Sequence, residues 1–169
     1  GDGALTAAQN YCRTHSPALS ERLETSDDDE YLFDRHNIDQ QVAEALSPRV
    51  ELPSGGWLML ETTQAMTTID VNSGSHDAPA RAINVEAAGL IARQIRLRGL
   101  GGLIAIDFID MTETDDAEAV LHALDDGFAS DKEPVRIGPI SEFGVVEMTR
   151  RRGGMTLSQT LREAGIDTV

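Results

Sequence analysis

Scarcity of several residue types narrows the classes of protein to which this 169-residue sequence can belong. Its one cysteine, Cys12, excludes an intramolecular disulfide framework and a cysteine-based zinc site within one chain. Aromatic residues make up only 4%, so platforms on which bases could stack are few. No apolar run approaches the roughly 20 residues that cross a bilayer, and no signal-peptide pattern opens the chain. We therefore expect a cytoplasmic protein without a membrane span.

Basic residues are also scarce, because 14 Lys and Arg stand against 29 Asp and Glu and leave a net charge of −15. Proteins that hold nucleic acid unaided usually carry a basic patch, since phosphate neutralisation supplies much of the affinity. The sequence therefore indicates one of two things. Either the chain does not bind polyanions, or it binds them through a metal ion and through segments outside this sequence. Its length and 40% hydrophobic content suit one globular domain with a buried core.

The order of elements predicts an α/β fold, with a mixed α+β sheet flanked by helices. Helical spacing predicts amphipathic helices over residues 4–16 and 38–46. Between them, the acidic segment 26–30 is interpreted as a solvated loop, because it lacks the turn glycine of a calcium site. The remaining pattern predicts strands over 57–60, 65–72, 103–109, 135–137 and 145–148, and helices over 81–98, 115–127 and 158–164. Strand 103–109 is apolar at nearly every position, which is typical of a strand covered on both faces.

Two aspartates, Asp70 and Asp107, lie within apolar strands. A buried, unpaired carboxylate is costly, so it normally shifts its pKa, finds a cation or binds a metal. Asn72 faces the same way as Asp70 because residues two apart in a strand share a face, and a strand–helix–strand connection favours neighbouring strands. Two carboxylates and an amide oxygen suit Mg²⁺ or Mn²⁺. A strand-end aspartate can instead cap a helix or bond loop amides, an alternative that also applies to Asp110.

Basic side chains near these acids are candidate contacts for phosphate. His76 and Arg81 lie on or beside the loop that follows Asp70. An exposed loop histidine is more often simply solvated, so that alternative stays open. Arg150 begins the densest basic run, 150–152, which either contacts an RNA backbone or forms a solvated face.

Six collinear segments carry a resemblance to a known family: VELPSGG (50–56), IDVNSG (69–74), NVEAA (84–88), IARQIRLR (91–98), GGLIAIDFIDM (101–111) and FGVVEMTR (143–150). Together they closely resemble the ribonuclease E/G family. By this resemblance, residues 1–47 are a helical segment similar to the end of the family's RNase H-like subdomain. Residues 48–169 are similar to its DNase I-like catalytic subdomain.

The resemblance also implies roles for individual residues. Asp70 and Asp107 match the family's two magnesium-binding catalytic aspartates, and Asn72 matches its supporting asparagine, which orients a carboxylate. The implied reaction is metal-dependent hydrolysis of single-stranded RNA by an activated water, which leaves a 5′-phosphate. Mg²⁺ is the implied cofactor, with Mn²⁺ as the alternative.

Several features of the family are missing from this sequence. They include the S1 domain that clamps RNA, the 5′-end sensor pocket and the Cys-Pro-x-Cys zinc link between protomers. Ser75 and Glu142 stand where the family pattern has arginine, and each change removes attraction for phosphate. We therefore expect an S1-type domain or a subunit elsewhere to help hold RNA. Any homo-oligomer is expected to form without the zinc link.

Three functions compete on this reading. The first is a metal-dependent endoribonuclease core. The second is a non-catalytic relative, a binding or scaffold module with weakened RNA contacts. The third is a metal-dependent phosphoesterase acting on a substrate smaller than RNA. The intact pair of acids favours catalysis, whereas the lost basic residues favour the binding module.

Overall fold

The computed structural model describes residues 2–24, 31–74 and 78–166 and divides the chain into two compact units, Gly1–Gln40 and Gln41–Val169. The first unit holds short helices: α1 (Asp2–His15), a 3₁₀ helix (Pro17–Arg22), α2 (Leu32–Arg35) and the start of α3 (Ile38–Leu46). The two helices predicted in this part of the sequence are confirmed. The acidic segment 26–30 lies outside the described residues.

The second unit is built around one six-stranded sheet, in the order β1-β2-β3-β4-β6-β5. The strands are β1 (Arg49–Glu51), β2 (Trp57–Thr62), β3 (Met66–Asn72), β4 (Gly102–Asp107), β5 (Val135–Ile140) and β6 (Val145–Arg150). Its helices are α4 (Ala80–Arg98), α5 (Thr114–Phe128) and α6 (Leu157–Glu163). The predicted α/β class with a mixed sheet and flanking helices is confirmed. The finer likeness to a DNase I-like subdomain stays a prediction.

Only one pair of neighbouring strands in this sheet is parallel. β3 and β4 run side by side in the same direction, while the other four pairs are antiparallel. The parallel pair is joined through α4, as the strand–helix–strand connection predicts. The helix ends at Gly99, which adopts a left-handed conformation with φ 65° that glycine tolerates without steric cost. The carboxyl ends of β3 and β4 therefore meet at one edge of the sheet.

The hydrophobic core lies between α4, α5 and one face of the sheet. Alternate residues of the central strands point into it, and the largest of these are fully buried: Leu58, Ile69, Ile104, Ile106, Val146 and Met148. Side chains of α4 and α5 meet them, including Ile91, Ile95, Val120 and Leu124. Burial of an aliphatic side chain of this kind stabilises the fold by about 1.5–3 kcal/mol.

The expectation that β4 is covered on both faces is wrong. Leu103 is 39% exposed, Ala105 is only half-buried and Asp107 is exposed. Because α4 and α5 both pack against the same face, the opposite face of the strand carries apolar residues that neither helix covers. The strand also ends at Asp107, two residues before the predicted end. Within the described residues, no helix combines the length and the apolar character that crossing a membrane requires.

Candidate functional site

Asp70 and Asp107 are direct neighbours in the sheet. They form a register pair between the parallel strands β3 and β4, whose backbones lie about 4.8 Å apart. Residues paired in this way project their side chains from the same face. Both residues are exposed, on the face opposite the helices. The fold therefore brings together two acids that lie 37 positions apart in the sequence, as the strand–helix–strand connection predicts.

The premise that Asp107 is a buried carboxylate is wrong. Its neighbours Ile106 and Phe108 are buried at 0% and 3% exposure, whereas Asp107 itself points away from the core. Desolvation is consequently not the feature that marks this residue. The informative feature is a second carboxylate directly beside it, because like charges paired across strands destabilise a sheet. None of the described Arg, Lys or His side chains forms an ion pair with either acid.

Asn72 supports one of the two acids. Its Nδ2 donates a hydrogen bond to Oδ2 of Asp70 at 2.7 Å, and the two residues share a face because they are two apart in β3. This contact holds one carboxylate oxygen of Asp70 and leaves its other oxygen available to a ligand. The role of Asn72 in catalysis stays a prediction.

Helix capping does not explain these acids in the described structure. The residue before α4 is Pro79, and the residue before α5 is Glu113; neither makes a side-chain capping hydrogen bond. Asp110 is exposed and does not occupy the capping position of α5. The alternative that Asp70, Asp107 or Asp110 serves as an N-cap therefore lacks support.

The donor set fits a hard divalent cation. Asp70 and Asp107 supply carboxylate oxygens from one edge of the sheet, the ligand chemistry that Mg²⁺ and Mn²⁺ prefer. Within the described residues, no cluster of three or more His, Cys, Asp and Glu residues could hold a metal. Magnesium commonly uses only one or two protein carboxylates and completes its octahedron with water and substrate phosphate. A two-carboxylate site of this kind is open to substrate.

Asn84 anchors the backbone beyond Asp107, a role the sequence analysis missed. It is fully buried on α4; its Nδ2 donates to the carbonyl oxygen of Ile109 at 2.7 Å, and its Oδ1 accepts from the Ile109 amide at 3.1 Å. This two-way bond ties the chain two residues after Asp107 to the central helix. The available signal was an asparagine among the apolar positions of α4, since buried polar groups need partners.

A glycine-rich turn packs against the end of β3. A Cβ atom at Gly56 would collide with the carbonyl oxygen of Asn72, and one at Gly74 would lie 2.7 Å from the carbonyl oxygen of Gly55. Gly74 also has φ +66°, which disfavours other residues. Glu86 of α4 accepts a hydrogen bond from the Ser54 amide at 3.3 Å. These contacts fix the strand end that carries Asn72 and, two residues earlier, Asp70.

The three candidate RNA contacts fall in different surroundings. Arg81 lies in the first turn of α4, is 55% exposed and has its Nη1 3.4 Å from Oδ1 of Asp116. His76 lies outside the described residues. Arg150 lies at the opposite end of the sheet, paired in register with Gly102, five residues or about 16 Å from Asp107 along β4. The structure therefore does not bring Arg150 to the acid pair.

Arg150 is a buried ion-pair partner, with its side chain 8% exposed. Its Nε and Nη2 donate to the two carboxylate oxygens of Asp131 at 2.8 and 2.9 Å, and its Nη1 donates to the carbonyl oxygen of Leu100 at 2.8 Å. The hydrogen bonds from Arg150 lower the pKa of Asp131, against the opposing effect of burial. Arg151, by contrast, is 66% exposed and pairs with Glu133. Arg81 and His76 therefore remain the candidate RNA contacts.

Comparison with known proteins gives a family match over most of the chain. The model of the ribonuclease E/G family matches residues 2–153. Ribonuclease G of Salmonella typhimurium (strain SL1344) is 41% identical over 142 residues, covering 80% of this chain and 29% of that protein. Ribonuclease G of Escherichia coli (strain K12) is 37% identical over 168 residues, covering 95% and 34%. Ribonuclease E of Synechocystis sp. is 44% identical over 132 residues, covering 75% and 20%. The chain thus spans about a third or less of the length of these relatives.

Proposed function

This chain belongs to the ribonuclease E/G family, and from that premise we propose that it is the catalytic core of a metal-dependent endoribonuclease that cleaves single-stranded RNA and leaves 5′-phosphate ends. The observation that carries the proposal is the register pairing of Asp70 with Asp107 at the carboxyl ends of two parallel strands. The proposed cofactor is Mg²⁺, which Mn²⁺ can replace. The end of the sheet that holds the pair is exposed, so single-stranded RNA can reach the two acids without prior opening of the protein fold.

Each residue near the pair has a distinct proposed task. Asp70 and Asp107 would hold the cation, which when bound would polarise a phosphoryl oxygen and make a bound water a better nucleophile. Asn72 keeps one oxygen of Asp70 engaged, so that the other is presented to the ion. Asn84 fixes the backbone just beyond Asp107. Preorganisation of this kind matters because small displacements of catalytic groups lower rates steeply.

Retention of RNA is the part of this function for which the chain is least equipped. Its net charge is −15, and the phosphate backbone normally requires basic residues for affinity. Arg81 and His76 are the proposed backbone contacts. An S1-type domain or a subunit elsewhere is proposed to supply the rest, and any assembly of copies would form without a cysteine-ligated zinc link.

A cleavage assay tests the catalytic proposal. The protein is incubated with a 5′-monophosphorylated, AU-rich single-stranded RNA and Mg²⁺, beside Asp70→Asn and Asp107→Asn. Each substitution should lower the cleavage rate at least about 100-fold, because it removes several kcal/mol of metal-derived stabilisation. Asp125→Asn, which makes the same change at an exposed position of α5, should keep the wild-type rate. Wild type that cuts no faster than the two site variants at any Mg²⁺ concentration contradicts the proposal.

The alternative is a non-catalytic binding or scaffold module of the same family. Ser75 and Glu142, which stand where arginine is expected, and the charge of −15 favour it. This alternative predicts that wild type and Asp107→Asn bind the same RNA with equal affinity and that neither cuts it. Measurement of RNA affinity beside the cleavage assay separates the two functions.

A further inference from the structure

An exposed aromatic residue lies in the turn before β6, the strand that pairs with β4 at Asp107. Phe143 is 87% exposed, in a chain in which aromatic residues make up only 4%. It precedes by two residues Val145, the first residue of β6 and the register partner of Asp107. In the order of the sheet, Asp70, Asp107 and Val145 therefore form one row across three neighbouring strands. The turn that carries Phe143 flanks that row.

The turn that presents Phe143 is built from specific hydrogen bonds. Oγ of Ser141 accepts from the backbone amides of Phe143 and Val145, both at 3.3 Å. The Gly144 amide donates to the carbonyl oxygen of Ser141 at 3.0 Å, and the Ser141 amide donates to the carbonyl oxygen of Val145 at 2.9 Å. Gly144 has φ +80°, a conformation that glycine adopts readily. The backbone thus holds the aromatic ring at the surface, away from the core.

A groove of about 370 Å³ adjoins the ring. Its lining includes the apolar side chains of Ile109, Met111 and Ile140 and the carboxylates of Asp110 and Glu142. The two carboxylates disfavour a phosphate, because like charges repel. An aromatic ring and aliphatic side chains instead suit the flat face of a nucleobase, and base–aromatic stacking needs no positive charge. The chemistry of the groove therefore points to the base of a nucleotide rather than to its backbone.

We propose that Phe143 and the adjoining groove form a nucleobase-binding subsite for single-stranded RNA next to the Asp70–Asp107 pair. The proposal rests on the proposed function, since it takes RNA as the ligand. It also supplies affinity of a kind that a chain with a charge of −15 can provide. The base stacks on the ring while its phosphates stay on the solvent side, away from Asp110 and Glu142.

The test measures RNA affinity without divalent metal, so that it does not depend on cleavage. Binding of a fluorescein-labelled AU-rich RNA decamer is followed by anisotropy in EDTA for wild type, Phe143→Ala, Phe143→Leu and Phe143→Trp. Stacking contributes about 1–3 kcal/mol per base, which corresponds to a 5- to 150-fold weaker Kd for Phe143→Ala. Phe143→Leu should bind RNA almost as weakly as Phe143→Ala, because stacking requires the aromatic ring and leucine keeps only an apolar surface. Phe143→Trp should bind at least as tightly as wild type. Phe33→Ala, at an aromatic residue that is 61% exposed, should leave Kd unchanged.

A scan of abasic nucleotides adds a readout that simple loss of folding cannot imitate. At one position of the decamer, an abasic nucleotide should raise the Kd of wild type by the same factor as the Phe143→Ala substitution does. The same abasic nucleotide should not raise the Kd of Phe143→Ala any further. Undetectable RNA binding by wild type, full affinity in Phe143→Leu, or equal losses at every abasic position overturns the subsite. Phe143-dependent binding without Mg²⁺-dependent cleavage keeps the subsite and contradicts the endoribonuclease. Mg²⁺-dependent cleavage whose kcat and KM are the same in wild type and Phe143→Ala keeps the endoribonuclease and contradicts the subsite.

Discussion

The two ends of β4 carry charge in opposite ways. At the carboxyl end, Asp107 lies beside Asp70, and none of the described basic side chains neutralises either acid. At the amino end, Gly102 pairs with Arg150, whose guanidinium is buried and bonded through all three nitrogens. The buried charge of Arg150, which is neutralised by its partner, has a structural role in the sheet. Adjacent like charges at an exposed end of the sheet destabilise the strand pairing, and the proposed metal site would account for their presence there.

The largest effect is expected at the neutralised end. Asp131→Ala leaves the buried guanidinium of Arg150 without its partner and should lower the free energy of unfolding by about 3–5 kcal/mol. Chemical denaturation followed by circular dichroism measures the loss. Glu133→Ala is the matched control, because it breaks the neighbouring ion pair to the exposed Arg151 and should cost at most about 1 kcal/mol. Equal losses in the two variants would show that burial does not distinguish the pairs.

Acid should remove the stabilisation that the ion pair between Arg150 and Asp131 provides. The pKa of Asp131 in the folded protein lies below its ordinary value of 3.8, because Arg150 hydrogen-bonds to its carboxylate. The pair therefore gives its full stabilisation above about pH 4, and this stabilisation is lost as pH falls through the folded-state pKa. Unfolding curves recorded between pH 5 and pH 2 should show a steeper loss for wild type than for Asp131→Ala.

An intermediate effect is expected at Asn84, which holds the backbone just beyond Asp107 at the carboxyl end of β4. Asn84→Ala removes both hydrogen bonds to Ile109 and should destabilise the fold by about 2 kcal/mol, because it leaves backbone groups unpaired in a partly buried place. Asn10→Ala is the control: it is also a helical asparagine, but its side chain is exposed and, among the described residues, its Oδ1 accepts a hydrogen bond from Arg13 alone. A difference of less than about 0.5 kcal/mol between the two variants would assign the support of the β4 end to other residues.

The smallest effect has the opposite sign. Without metal, Asp107→Asn should raise the free energy of unfolding by about 0.2–1 kcal/mol, because it removes a like-charge pair between strands. We expect Mg²⁺ or Mn²⁺ to raise the melting temperature of wild type and to leave that of Asp107→Asn unchanged. Asp125→Asn should change neither quantity. Destabilisation by Asp107→Asn in EDTA would reveal a structural partner for this carboxylate and weaken the contrast between the two ends.

Much of this molecule was predictable because its signals are local. Apolar spacing and the glycines after Arg98 define α4, and the connection from Asp70 to Asp107 predicts neighbouring strands. The uncovered face of β4 was not predictable, because it depends on α4 and α5 packing against the same side. The ion pair between Arg150 and Asp131 was missed for a similar reason, since its members lie 19 residues apart and meet only after β5 and β6 have paired.

Parallel pairing gives the acid pair a property that a site made of loops would lack. Backbone hydrogen bonds between β3 and β4 set the spacing of the two carboxylates, so the side chains themselves contribute little to it. A single-residue insertion within β4 would turn Asp107 toward the helices and bring an isoleucine to the surface, since a shift of one residue exchanges the faces of a strand. We therefore expect the spacing of the pair to be more sensitive to a change in the length of these two strands than to a change of side chain on a neighbouring strand position.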